Sequence, residues 1–150
     1  MTDLVKIQFD LEPDEDGYPP VGSESLNASD TGDGSFILEN TPFFVEEVAL
    51  QDRVRAVPIE GAKNRFRFVE VIAESGYKAL SIIFIESTDR ERDELLAKFQ
   101  AWGCYCETGN YGALAMLAAA IPESQDYRTI SAHLDKLEAA DVLSYAELAL

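Results

Sequence analysis

The hydrophobic period of this 150-residue chain changes near residue 75, and that change limits the possible folds more than any single motif does. Before it, apolar residues alternate with polar ones in short runs broken by turn residues. After it, they come as continuous apolar runs and as helical stripes. A period of two sends successive side chains to opposite faces of a strand, so the first half is expected to be strand and turn. The second half calls for strands covered on both faces, with helices supplying part of the cover.

Residues 4–9 alternate toward their end and read as a strand. An acidic loop follows over 10–22, where Pro13, Pro19 and Pro20 deny a regular ladder. Residues 25–29 and 35–39 read as two short strands. Thr31-Gly32-Asp33-Gly34 between them supplies the positive-φ residues of a tight hairpin. Residues 54–58 form a strand ended by Pro58, and 65–71 a strongly alternating one with Phe66, Phe68 and a candidate third residue, Val71, as its apolar side. So many short strands in about seventy residues suggest a small curled sheet or partly open barrel.

In the second half, residues 80–85 make a nearly unbroken apolar run typical of a central strand. Thr88-Asp89-Arg90-Glu91 is a capping box. It opens a helix in which Leu95, Leu96, Phe99 and Trp102 recur at helical spacing before Gly103 ends it. Residues 104–108 read as a short strand and Gly109-Asn110-Tyr111-Gly112 as a turn. Residues 113–121 are alanine-rich enough for a helix, but their length and their flanking turn residues favour a buried strand. Asp126 caps a second helix with Ile130, Leu134 and Leu137 as its buried stripe, and residues 143–148 are either an edge strand or a helical tail. The order over 77–150 is β-α-β-β-α-(β), that of a ferredoxin-like sandwich. The expected class is therefore α+β. A small barrel-like β half over 1–74 precedes a ferredoxin-like half over 75–150, the two packed as one compact unit.

Charge then excludes several functions. Twelve Lys and Arg stand against 28 Asp and Glu, a net of −16 with a pI near 4.2. Residues 1–60 hold 14 acids and three bases (net −11), while 61–150 hold 14 and nine (net −5). Nucleic-acid binding needs a basic face that displaces phosphate counterions, and anionic membranes repel such a surface, so neither partner is expected. The longest apolar run, 112–121, falls well short of the roughly 18 residues of a membrane span. The N-terminus lacks the basic and apolar regions of a secretory signal, and two cysteines are too few for a disulfide framework. A reduced, cytoplasmic protein is expected.

No motif for catalysis emerges. Glu12-Pro13-Asp14-Glu15-Asp16-Gly17 copies the opening of an EF-hand loop, but its twelfth position is Ser23 rather than glutamate, and a strand precedes it. Cys104 and Cys106 share one face of a strand yet lack the further ligands of a zinc site, which favours a role as small buried hydrophobes. His133 is the single histidine and has apolar residues at helical spacing. The two glycine-bearing loops fit no phosphate-binding pattern. Neither an enzyme nor a cofactor is expected.

The distinctive segment is Asn40-Thr41-Pro42-Phe43-Phe44, whose aromatic pair is expected to seal the end of the small sheet, the rival being an exposed anchor for a partner. With Val5-Lys6-Ile7, Pro19-Pro20-Val21-Gly22-Ser23-Glu24-Ser25-Leu26, Val48-Ala49-Leu50-Gln51-Asp52-Arg53-Val54 and Glu74-Ser75-Gly76-Tyr77, it resembles the bacterial family known as domain of unknown function 4265. Asn27 departs from the family's tryptophan, Gln51 from a common glycine and Tyr77 from a common histidine. The resemblance implies no activity, although small acidic proteins of this kind are often immunity partners of bacterial toxins.

The function expected is thus an acidic immunity or inhibitor protein that neutralises a cognate basic toxin or effector domain. The alternative is a small-molecule-binding regulatory protein with its effector at the junction of the halves. A folded chain of this mass exposes roughly 7,600 Å², so charge is dense enough for a standard interface to carry several acids. The contact residues expected are Asp10, Glu12, Asp14, Glu15 and Asp16 of the acidic loop, then Asp30, Asp33, Glu46 and Glu47.

Overall fold

The computed structural model describes residues 4–150 and shows a mixed α+β fold with two sheets and two helices. In the first sheet, β1 (Leu4–Asp10), β2 (Ser23–Asp30), β3 (Ser35–Leu38), β4 (Arg53–Pro58) and β5 (Arg65–Ala73) pair antiparallel in chain order. β5 then returns to β1, pairing parallel with it where Lys6, Ile7 and Gln8 lie opposite Arg65, Phe66 and Arg67, so the ring of pairings closes on itself. The alternation has its expected result. Val5, Ile7, Phe9, Leu26, Ala28, Phe36, Leu38, Val54 and Ala56 face inward and are buried together.

β5 departs from strict alternation. Phe66, Phe68 and Val71 all pack on that core, a step of two followed by a step of three. The cause lies in the pairing with β4: Ala56 faces Phe68 and Arg55 faces Glu70, while Val54 faces Val71 and Arg53 faces Ala73. Val69 and Ile72 are the extra residues of two bulges, and both stay about half exposed.

The second sheet has the order β7-β8-β6-β9 and is antiparallel throughout, built from β6 (Lys78–Phe84), β7 (Tyr105–Tyr111), β8 (Leu114–Ile121) and β9 (Leu143–Ala149). Helices α1 (Asp89–Ala101) and α2 (Tyr127–Ala139) cover one face, where Leu95, Phe99, Ile130 and Leu134 meet Leu80, Ile82, Leu117 and Ile121. The intervening residues Met116 and Ala118 point the other way, toward the first half of the chain. Both faces of β8 are buried, which explains a run of alanines and leucines with no polar phase.

The helix ends follow their sequence signals. Thr88 and Glu91 form the reciprocal capping box, Asp126 accepts from the Arg128 amide, and Gly103 closes α1 at a φ of 78°. The last segment is a strand, which settles the choice left by its composition. One expectation fails. Residues 109–111 are not a turn but the end of β7, and Gly109 serves close approach: a Cβ there would lie 3.3 Å from Cζ of Phe43. The reversal comes at Gly112, with φ 63°.

Candidate functional site: an acidic groove between the sheets

The connector 39–52, which links β3 to β4 within the first sheet, packs against the second sheet along two seams of opposite character. In the first seam Phe43 and Phe44, both buried, lie against Tyr111 with ring centroids 5.4 and 4.8 Å away, and Tyr18 meets the edge of Phe44 at 5.8 Å. Met116 and Ala118 of β8 complete the cluster, with Leu11 and Val21 of the acidic loop at its side. The aromatic pair therefore does not seal the end of the small sheet. It glues one sheet to the other, because the alternation of β8 turns an apolar face toward it.

This seam is fixed by a buried carboxylate. Glu24 occupies an inward position of β2, in phase with Leu26 and Ala28. It accepts hydrogen bonds from the amides of Phe43 (2.7 Å), Phe44 (3.1 Å) and Val45 (2.9 Å). Glu107 likewise accepts from the Thr41 amide at 3.1 Å. Both carboxylates border a cavity of about 410 Å³, but both oxygens of Glu24 and one of Glu107 are committed to backbone amides. Burial, reinforced by Glu24 and Glu107, pushes the Tyr111 phenol up.

Asp52 does similar work at the other end of the connector. Also buried, it accepts from the amides of Ala49 (2.9 Å) and Ser75 (2.8 Å), while the Ser75 hydroxyl donates to the Leu50 carbonyl at 2.6 Å and accepts from the Tyr77 amide at 3.1 Å. The segments 48–54 and 74–77 are thereby locked together.

Beyond that lock the second seam opens into a groove of about 640 Å³. Val48, Ala49 and Leu148 form its floor, residues 68–71 of β5 one wall, and the end of β9 another. Among the described residues, five side-chain carboxylates line it, from Glu46, Glu47, Asp52, Glu70 and Glu74, and no Lys, Arg or His does. Asp52 is consumed by amides and Glu70 pairs with Arg55. Among the described residues, Glu46, Glu47 and Glu74 form no ion pair. Glu47 also holds a left-handed φ of 68° while its amide donates to the Leu148 carbonyl at 2.9 Å.

The nine acids expected to meet a partner fall into three separate places. Asp10 pairs with Arg67 at the end of β1. Asp14 is spent on its own loop, accepting from the amides of Asp16 and Tyr18, while Glu12, Glu15 and Asp16 are exposed beside it. Asp30 and Asp33 build the hairpin. Asp30 accepts from the Gly32 amide, and hydrogen bonds from Ser35 and then Thr31 lower the Asp33 carboxyl to about 2. Of the nine, only Glu46 and Glu47 line the groove. Sequence reasoning missed Glu74 and Tyr77 as groove residues, and Glu24 and Asp52 as the carboxylates that shape it. The inward phase of Glu24 along β2 was the available signal.

Other chemistry is accounted for by packing. Cys104 and Cys106 lie against the helix-covered core, and burial raises their thiols to about 11 and about 12. His133 meets the Trp102 ring edge-on at 5.8 Å, and burial, then Lys98 and Lys136, lower its pKa. Among the described residues, no three His, Cys, Asp or Glu side chains converge to hold a metal ion, and no helix is long and apolar enough to cross a membrane.

A family model described as Domain of unknown function (DUF4265) matches residues 24–145, most of the chain. The chain belongs to this family. A crystal structure of a hypothetical protein from Neisseria gonorrhoeae is similar to this DUF4265 protein over 100% of this chain and 96% of its own, with a TM-score of 0.73. At 22% identity that likeness shows the fold. No curated protein matches. The segments that carry the DUF4265 resemblance include those bound by Glu24 and Asp52, so much of what makes them distinctive is architectural.

Proposed function

We propose that this DUF4265 protein is an inhibitor of the immunity type, which meets a cognate basic toxin or effector domain in the cytoplasm and occludes it through the acidic groove. One observation carries the reading: a concave site between two sheets whose free charges are all negative. Among the described residues Glu46, Glu47 and Glu74 lack cationic partners, while Asp52 beside them and acids elsewhere, such as Asp14, Asp30 and Asp33, are engaged in hydrogen bonds within the fold. Carboxylates not used by the fold raise the local potential and speed encounter with a cationic surface. The exposed acids of the loop, Glu12, Glu15 and Asp16, would add to the field without forming the contact.

The groove's volume lies in the range of small-ligand sites, which gives the regulatory alternative its support. Its rim of free carboxylates favours a cationic partner over a neutral metabolite. The reading rests on a division of the chain at residue 74, with a barrel-like half supported by the closed ring of pairings. The ferredoxin-like reading of the second half draws on the sheet order β7-β8-β6-β9 with a helix in each crossover.

The test is association with the toxic domain encoded beside its gene, followed by stopped-flow mixing across ionic strength. The expected result is a complex whose association rate falls steeply with salt. A rate indifferent to salt, or a complex unaffected by Glu46→Gln, Glu47→Gln and Glu74→Gln together, refutes it.

A further inference from the structure

We infer that the groove receives an extended, lysine- or arginine-bearing segment of the partner, which adds as a strand along the open edge of β5. This rests on the reading that the partner is basic, and it specifies how that partner is held.

The lining identifies the edge. Residues 68, 69, 70 and 71 all border the groove. Phe68 and Val71 turn toward the core while the bulged Val69 and its neighbour Glu70 are exposed, so a lining that takes in residues of both faces marks a groove along the strand's edge rather than over one face. On that side β1 pairs with β5 only as far as Arg67, and among the described residues 69–73 have no ladder partner beyond β4. The edge of β9 is better covered: the Leu148 carbonyl takes the Glu47 amide, and the Tyr145 amide donates to Glu138 at 3.2 Å.

An extended segment would find matching surfaces for both of its faces. One set of alternate side chains meets the apolar floor of Val48, Ala49 and Leu148, and the other reaches the rim of Glu46, Glu47 and Glu74. Charge selects the occupant. Open edges invite pairing with any chain, and bulges and charges are the usual deterrents. Here the deterrent charge is wholly negative, so a second copy of this chain, itself at −16, is repelled while a cationic segment is drawn in.

Three acetylated heptapeptide amides test this: alternating Lys–Val, its twin N-methylated along the central backbone, and alternating Glu–Val. The expected result is binding of the Lys–Val peptide at low salt, with slowed hydrogen exchange at the amides of residues 69–73. The N-methylated twin should bind about tenfold more weakly or worse, since main-chain bonding supplies affinity in strand addition. Glu46→Gln with Glu47→Gln and Glu74→Gln should cost a similar factor. Charge-selective binding without protection of 69–73, or equal binding by the N-methylated twin, overturns strand addition and leaves the basic-partner reading standing. Equal binding by the Glu–Val peptide overturns the cationic reading itself. No binding by the Lys–Val peptide overturns the inference.

Discussion

The two seams lie on the same connector and between the same two sheets, yet they use carboxylates in opposite ways. At the aromatic seam, Glu24 gives both oxygens to three backbone amides, and Phe43, Phe44 and Tyr111 fill the space around it. At the open seam the floor is aliphatic rather than aromatic, and among the described residues Glu46, Glu47 and Glu74 are tied to no cation. Net charge alone does not separate these roles. A carboxylate whose lone pairs are occupied by the fold is structural whatever its sign contributes to the surface, whereas one left free is available to a partner.

The largest expected effect tests that division directly. Glu24→Ala leaves three amide donors in or beside a buried seam without an acceptor and should destabilise the protein by about 4 kcal/mol, given roughly 1–3 kcal/mol for each orphaned group and partial relief from water in the adjoining cavity. The triple groove variant should change stability by less than about 0.5 kcal/mol, as exposed substitutions usually do. Urea denaturation of both variants measures the contrast. Equal losses would make the groove acids structural and erase the difference between the seams.

Next comes the fit of the aromatic seam. Gly109→Val puts branched carbon where a single Cβ already sits 3.3 Å from both Phe43 and Tyr111. Overpacking of this kind costs about 1–3 kcal/mol. Thermal unfolding should show the loss, and Phe43→Leu in the same chain should recover part of it. A value unchanged from the parent would mean that the seam is looser than the contact distances imply.

A smaller effect concerns acids bound within a turn. The Asp33 carboxyl titrates near 2 in the folded chain against 3.8 for an unperturbed group, because Ser35 and Thr31 donate to its charged form. A depressed carboxyl pKa stabilises the fold above the unfolded value. That contribution is lost as pH falls from about 4 toward 2. Carboxyl-detected NMR should place the Asp33 midpoint near 2, and Asp33→Asn should flatten the acid limb of stability in that window. A midpoint at the ordinary value would show that the hairpin does not use its carboxylate as the groove's lock uses Asp52.

How far the sequence carries this picture depends on the range of each interaction. Caps at Thr88 and Asp126 and the hairpin at Thr31-Gly32-Asp33-Gly34 are local, and each is where its residues indicate. Both-face burial of β8 was legible from an apolar run too short for a covered helix. The role of Gly109 was not, because its partner Phe43 lies sixty-six positions earlier and a glycine beside Asn110 looks like a turn. The bulges of β5 left a trace in the three-residue step from Phe68 to Val71. The groove left none, being assembled from the connector, β5, the β5–β6 link and β9. Glu46 and Glu47 were singled out by charge alone. The same criterion chose Asp14, Asp30 and Asp33, since a count of acids is blind to which of them the backbone has taken.

The finest distinction is available within the connector itself. Glu47 and Gln51 both adopt left-handed backbone, with φ of 68° and 65°, and both are exposed. A non-glycine residue there gives up roughly 1 kcal/mol to its own Cβ, while glycine would lose about 0.5–1 kcal/mol through the freedom it gains in the unfolded chain. Glu47→Gly and Gln51→Gly should therefore each shift stability by no more than about 0.5 kcal/mol and in the same direction, because the conformational terms are matched. Binding should separate them. Gln51 lies outside the groove and carries no charge, so its variant should keep the affinity of the parent for a cationic peptide, whereas Glu47→Gly removes a rim carboxylate and should weaken it severalfold. If both variants weaken binding alike, the backbone of the connector rather than the charge at its rim governs recognition, and the open seam would then act through shape.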